Sequence, residues 1–237
     1  MMKNELWQIP INLVFNEQKS IKLNEDLAFI AQNLPVKLAC SLSGEDMVLT
    51  HAILANKLPI DIFVLDTKRL HDESLDLIKI IKTLYNYDIQ IYTPDEQQIT
   101  HYINQYGLNA FYESLELRKL CCNIRKVQPL ANALIDTKAW ITGQRKDQSS
   151  TRNNLEFKQI DSTHNNIKYN PLFDWHDNDV WAYLEHFNVP VNQLHFKGFP
   201  SIGCEPCTRP IRFFENVRAG RWWWEDSLTK ECGLHKI

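Results

Sequence analysis

The stretch Val36-Lys37-Leu38-Ala39-Cys40-Ser41-Leu42-Ser43-Gly44-Glu45-Asp46 decides the fold. Val36 to Ser41 is a short apolar run behind Pro35, and it reads as a buried strand. Small and acidic residues follow, then an apolar helix from Met47 to Asn56. A strand that passes through such a loop into a helix leaves backbone N–H groups free at the helix start. The helix dipole favours an anion there, a phosphate above all. Taken alone, the loop reads equally well as a plain strand-to-helix turn.

The surrounding chain repeats the pattern. Upstream, Asn24-Glu25-Asp26 predicts a helix start, and Leu27, Ile30, Ala31 and Leu34 form a stripe that Pro35 ends. Downstream, Pro59–Leu65 predicts a second buried strand that runs into Asp66-Thr67-Lys68-Arg69, with a helix from about His71 to Tyr87. Asp88–Tyr92 predicts a third strand, and Thr93-Pro94-Asp95-Glu96 a helix start with Thr93 as cap. Lys138–Thr142 predicts a fourth strand, leading into Gly143-Gln144-Arg145-Lys146-Asp147-Gln148-Ser149. Strands alternating with helices imply an α/β fold, an open and mostly parallel sheet with flanking helices. In such sheets ligands bind at the carboxyl ends of strands. The polar loops 41–46, 66–69 and 143–149 all follow predicted strands, so they are expected to gather on one edge. Past residue 150 the pattern loosens. Asn166–Leu172 reads as a strand, Asp174–Phe187 as an amphipathic helix, and Trp222–Trp224 as core or interface.

Composition narrows the function classes. A chain of 237 residues with 44% hydrophobic and 23% charged residues is one ordinary globular domain, or one domain with a tail. A net charge of −3 disfavours a nucleic-acid binder. No apolar run approaches the ~20 residues needed to cross a bilayer. Glu5 and the polar N-terminus lack a signal peptide's apolar centre, so the expected compartment is a reducing cytoplasm.

Four of the six cysteines fall in two tight pairs, Cys121-Cys122 and Cys204-Glu205-Pro206-Cys207. Paired thiolates brought together from two places suit a metal. Disulfides are disfavoured in a reducing compartment, and a bridge between neighbours is strained. The Cys-x-x-Cys turn suits zinc or a cluster. The adjacent pair suits zinc poorly, because neighbours on a helix point about 100° apart. An iron–sulfur cluster is bulkier and offers separate iron corners, so the tandem pair favours it. Arg118, Arg125 and Lys126 surround that pair with positive charge.

In combination these motifs resemble the assimilatory sulfonucleotide reductases, in particular the cluster-containing adenylyl-sulfate (APS) reductases. The resemblance runs from about residue 36 to 237. It rests on Ser41–Asp46, Leu65–Arg69, Cys121-Cys122 with Ile124-Arg125-Lys126, Gly143–Ser149, Cys204–Arg209, Arg218-Ala219-Gly220-Arg221-Trp222-Trp223 and Lys230-Glu231-Cys232-Gly233-Leu234-His235. It implies a fold related to the adenine-nucleotide α-hydrolase-like ATP pyrophosphatases. Residues 1–225 then form the reductase domain, and 226–237 a flexible tail. It implies a [4Fe-4S] cluster on Cys121, Cys122, Cys204 and Cys207, and Cys232 as the nucleophile. In that family the matching cysteine attacks the sulfur of adenylyl sulfate and releases AMP, and the resemblance implies the same of Cys232. The resemblance further implies that thioredoxin or glutaredoxin then frees sulfite from the S-sulfocysteine.

The residues expected at the substrate are Ser41, Ser43, Gly44, Glu45, Asp46, Asp66, Thr67, Arg69, Lys126, Arg145, Arg218, Arg221 and Trp222. Elementary chemistry supports the cations among them. A sulfur carrying three oxygens is electrophilic but shielded by negative charge, so attack needs a thiolate and neutralising groups. Two departures stand out. Lys68 occupies a position where the family usually has glycine, and Lys146 one that is often arginine. Three other readings compete. A PAPS reductase generally lacks the paired cysteines. An RNA-thiolating ATP pyrophosphatase needs an intact Ser-Gly-Gly-x-Asp-Ser loop, which is missing here. A non-enzymatic zinc or cluster module leaves Cys232 and the strand-end loops unexplained. The expected partners are adenylyl sulfate, the dithiol reductant and further copies of the chain in a homo-oligomer, with neither nucleic acid nor membrane.

Overall fold

A computed structural model describes residues 5–149 and 152–226. Cys232 and the rest of 227–237 lie outside the described residues. The sheet has six strands in the order β3-β2-β1-β4-β6-β5. These are β1 (Val36–Ala39), β2 (Asp61–Leu65), β3 (Gln90–Tyr92), β4 (Ala139–Ile141), β5 (Lys158–Asp161) and β6 (Asn166–Tyr169). Every pairing is parallel except β5 with β6. The open parallel sheet expected from the alternating pattern is therefore present.

Period-two alternation divides the core between the two faces of the sheet. Leu38, Ile62, Val64 and Ile141 share one cluster with residues of α1 (Glu17–Ile30), α2 (Gly44–Ala55), α3 (Asp72–Tyr85) and α7 (Asp177–His186). Phe63 and Trp140 face the other way, onto Leu130 and Ala133 of α6 (Gln128–Ala133). Helices α4 (Glu96–Tyr106) and α5 (Leu115–Cys122) complete that side, and a π-helical turn, Asn123–Val127, joins α5 to α6.

Several boundaries differ from expectation, each for a local reason. Helix α1 starts at Glu17, not near Asn24, because the Asn16 side chain accepts from the Lys19 N–H at 3.1 Å. Helix α4 is capped by Asp95, which accepts from the Gln98 N–H at 2.8 Å, and not by Thr93. Strand β5 carries no apolar signal. Its Ile160 is 76% exposed and only Asp161 is buried, as befits an edge strand.

Candidate active site

Strand β1 is central. The chain moves from it to β2 and β3 on one side, and returns to β4 on the other. The order reverses between β1 and β4, and the crevice at such a reversal is where open α/β sheets take ligands. A cleft of about 210 Å³ opens there, lined by Ala39 to Asp46 at and after the end of β1, Leu65 and Thr67 at and after the end of β2, and Thr142 to Arg145 after β4. Ser41, Ser43, Gly44, Glu45, Asp46, Thr67, Lys126, Arg145, Arg218, Arg221 and Trp222 all line it. Asp66 and Arg69 do not. The Asp66 carboxylate turns back to its own loop and accepts from the Lys68 N–H and Nζ, both at 2.9 Å. Lys68 itself takes φ 58°, a left-handed backbone that glycine adopts without strain. Arg69 donates to the Leu108 carbonyl at 2.8 Å and lies over the Phe111 ring, beside the cysteines.

The acidic residues of the first loop are scaffold. Asp46 is buried, and it accepts from the Ser41 N–H (2.7 Å) and hydroxyl and from the Gly143 N–H (3.0 Å). It thus fastens the loop after β1 to the loop after β4. A Cβ at Gly143 would come within 2.4 Å of Asp46 Oδ1, so only glycine admits this approach. Burial pushes the Asp46 carboxyl up to about 6, against the pull of its donors. Glu45 accepts from Arg145 Nε (3.0 Å) and Nη2 (2.8 Å) and from the Gln148 amide (2.9 Å). Burial pushes Glu45 up, but the Arg145 charge prevails and holds it below its ordinary value.

The cations divide into two kinds. Arg145 is buried and committed. Besides Glu45 it holds the Asp177 carboxylate and the Trp175 carbonyl, so its charge is balanced inside the protein. Arg221 is buried but pairs with no carboxylate among the described residues. It donates to the Ile202 carbonyl at 3.0 Å and to Ser201 Oγ at 3.3 Å, and its Nε is unpartnered. Its guanidinium presses on Gly203, where a Cβ would meet Nη2 at 2.5 Å. Arg221 therefore brings a net positive charge to the cleft wall.

All four paired cysteines line one small cavity next to the cleft, and all four are free thiols. The cavity is closed by Phe111, Trp222 and the cations Arg69, Arg118, Arg125 and Lys126. Cys121 and Cys122 are the last two residues of α5, directly before the π-turn. Thr67 Oγ1 lies 3.2 Å from Cys204 Sγ, and the Thr67 carbonyl accepts from Arg125 at 2.8 Å. Lys126, Cys204 and Trp222 belong to both cavity and cleft. No group of three or more His, Cys, Asp or Glu among the described residues is arranged to hold a single metal ion.

A family model for the phosphoadenosine phosphosulfate reductase domain matches residues 35–210, from the start of β1 to past the second cysteine pair. The chain belongs to that family. Within the family it falls among the adenosine 5′-phosphosulfate reductases. One of these, from Burkholderia cepacia, is 58% identical over 200 residues, spanning 84% of this chain and 80% of the relative. Another, from Neisseria meningitidis serogroup A, is 46% identical and spans 100% of this chain and 99% of its own. A solved phosphoadenylyl-sulfate (PAPS) reductase from Candida auris, in a phosphate complex, superposes with a TM-score of 0.67. It covers 83% of this chain and 99% of its own at 23% identity, a likeness of fold.

The family motifs left parts of the site unannounced. Ser201–Gly203, which none of those motifs includes, forms the wall that receives Arg221. Trp181 and His195 also line the cleft from the region where the sequence pattern loosens. For Ser201–Gly203 the available signal was its position directly before Cys204. For His195 there was none.

Proposed function

We propose that this chain reduces adenylyl sulfate to sulfite and AMP by way of an S-sulfocysteine on Cys232. The observation that carries the reading is the shared wall of Lys126, Cys204 and Trp222 between a switch-point cleft and a four-cysteine cavity. The cleft suits an adenylate. The loop Ser41–Ser43 leads into the N-terminus of α2, where free N–H groups favour a phosphate. Arg221 and Lys126 supply positive charge where a sulfate lies next to it, while Arg145 holds the loops in place. No intact Ser-Gly-Gly-x-Asp-Ser loop is present, which disfavours ATP cleavage.

The four cysteines fit a [4Fe-4S] cluster. They are free thiols around one cation-rimmed space. Such a cluster supplies a fixed charge and a structural tie at the cleft wall. The electron pair for sulfite comes from elsewhere. The Cys232 thiolate forms an S–S bond to the sulfate sulfur as the S–O bond to AMP breaks. A dithiol reductant of the thioredoxin or glutaredoxin class then attacks Cys232 Sγ. It leaves as a disulfide, while sulfite departs with the electron pair and the two thiol protons pass to Cys232 and sulfite. Assembly into a homo-oligomer belongs to the same proposal.

Among the described residues no helix is long and apolar enough to cross a membrane. The experiment that tests the reading is incubation with labelled adenylyl sulfate in the absence of thiol reductant. AMP is expected, together with a sulfonate on the peptide containing Cys232. Cys232→Ser should lose sulfite production while keeping its iron and its affinity for adenylyl sulfate. Sulfonate on Cys40, or a serine variant that still makes sulfite, overturns the assignment.

A further inference from the structure

His195 lines the cleft and is 1% exposed, yet one of its ring nitrogens has no partner among the described residues. It lies in a short 3-10 turn, Gln193–Lys197, that is held firmly. Asn192 caps the turn, accepting from the Leu194 N–H at 3.1 Å, and its amide donates to Ser74 Oγ at 2.9 Å. The ring is fixed as well. Trp181 meets it edge to face, with centroids 5.0 Å apart, and Trp7 lies at 6.4 Å.

The one hydrogen bond that the ring makes determines its chemistry. Nδ1 lies 2.8 Å from the Phe199 carbonyl oxygen. A carbonyl only accepts, so Nδ1 carries the hydrogen and Nε2 presents a bare lone pair. Burial holds the imidazole below its ordinary pKa, which keeps it neutral. A buried lone pair without a donor is unfavourable, and it is relieved when a donor arrives. A phosphate or sulfate oxygen carries no hydrogen to give it. In a nucleotide the groups that do are the ribose hydroxyls and the exocyclic amine of the base.

We propose that His195 is a specificity-determining residue whose Nε2 accepts a hydrogen bond from an uncharged donor of the bound nucleoside, a ribose O–H or the base N–H. This rests on the nucleotide reading of the cleft. It also bears on substrate choice. Where the donor is a ribose hydroxyl, a phosphate added to that hydroxyl brings acceptors to an acceptor.

Calorimetric titration of the full chain with AMP tests the proposal. His195→Asn places an amide where Nδ1 was, keeps the Phe199 contact and removes the Nε2 acceptor. It should weaken AMP by about five- to tenfold, the size of one lost neutral hydrogen bond. His195→Gln returns an acceptor near the Nε2 position and should recover part of the loss. The wild type should also lose a similar factor for one of three analogues: 2′-deoxy-AMP, 3′-deoxy-AMP or IMP, which has a carbonyl in place of the amine. For that analogue alone, His195→Asn should cause no further loss. This coupling identifies the donor, and a merely structural histidine does not produce it. Equal losses for AMP and all three analogues on His195→Asn overturn the proposal, as does unchanged AMP affinity. A wild type that binds no AMP overturns the nucleotide reading itself, and this assignment with it.

Discussion

At the scale of single residues, Asp46 and Gly143 set the shape of the cleft, and both give measurable predictions. Asp46 pairs with no cation among the described residues, and burial lifts it from its ordinary value of 3.8 to about 6. Between those values the folded protein binds the proton more tightly than the unfolded chain. The stability owed to this group is therefore greatest in acid and falls as pH rises through 6. Set against Asp46→Asn, which cannot titrate, the wild type should gain about 2.5 kcal/mol between pH 7 and pH 4. Paired thermal melts across that range measure it, and a constant difference contradicts it. Gly143→Ala forces a methyl against Asp46 Oδ1 and Glu45 Cβ, at 2.4 and 2.8 Å. It should destabilise by about 1–3 kcal/mol and weaken AMP, because the two loops must part. A variant with normal melting and normal AMP affinity contradicts this close packing.

At the scale of elements, α5 is tied to the segment after Trp224 by a buried fork. Arg118, 0% exposed, donates Nε and Nη2 to the two carboxylate oxygens of Glu225 at 2.8 and 2.7 Å. Taking the carboxylate from a buried ion pair is costly, so Glu225→Gln should destabilise by about 3–5 kcal/mol. The apolar double change Arg118→Met with Glu225→Leu should restore most of that in circular-dichroism melts, since both desolvated charges are gone. A double variant as unstable as the single one contradicts this. The pair also shows what a sequence withholds. Strands β1, β2 and β4 were legible because each is built on a mainly apolar run, broken in β1 only by Lys37, and the loops after them were legible as a site because each follows such a run. Strand β5 was not, since an edge strand needs no apolar face. Nor was the balancing of Arg145 by Glu45 and Asp177, which lie 100 and 32 residues away in the chain. Tertiary partners at that separation leave no local pattern, so a charge meant for scaffold and one that faces the cleft look alike in sequence. Arg145 and Arg221 are that contrast.

At the scale of the whole molecule, the sheet's switch point and the cysteine cavity are adjacent because the long crossover from β3 to β4 carries the tandem cysteines back past the end of β2. If the cavity holds a cubane, protein purified without oxygen should be brown, with about four irons and four sulfides per chain. Cys207→Ser should bleach it, and iron and sulfide assays with the visible spectrum decide the matter. A colourless wild type with one zinc contradicts the cluster. The π-turn Asn123–Val127 has a different kind of consequence. It inserts an extra residue into what is otherwise one helical rod, so the rod changes phase by about 100° in the middle. A helical wheel drawn continuously from Leu115 to Ala133 misplaces one half by more than a quarter turn. Shortening the chain by a residue within the turn should restore the phase and carry Cys121 and Cys122 off the cavity, although every cysteine would still be present.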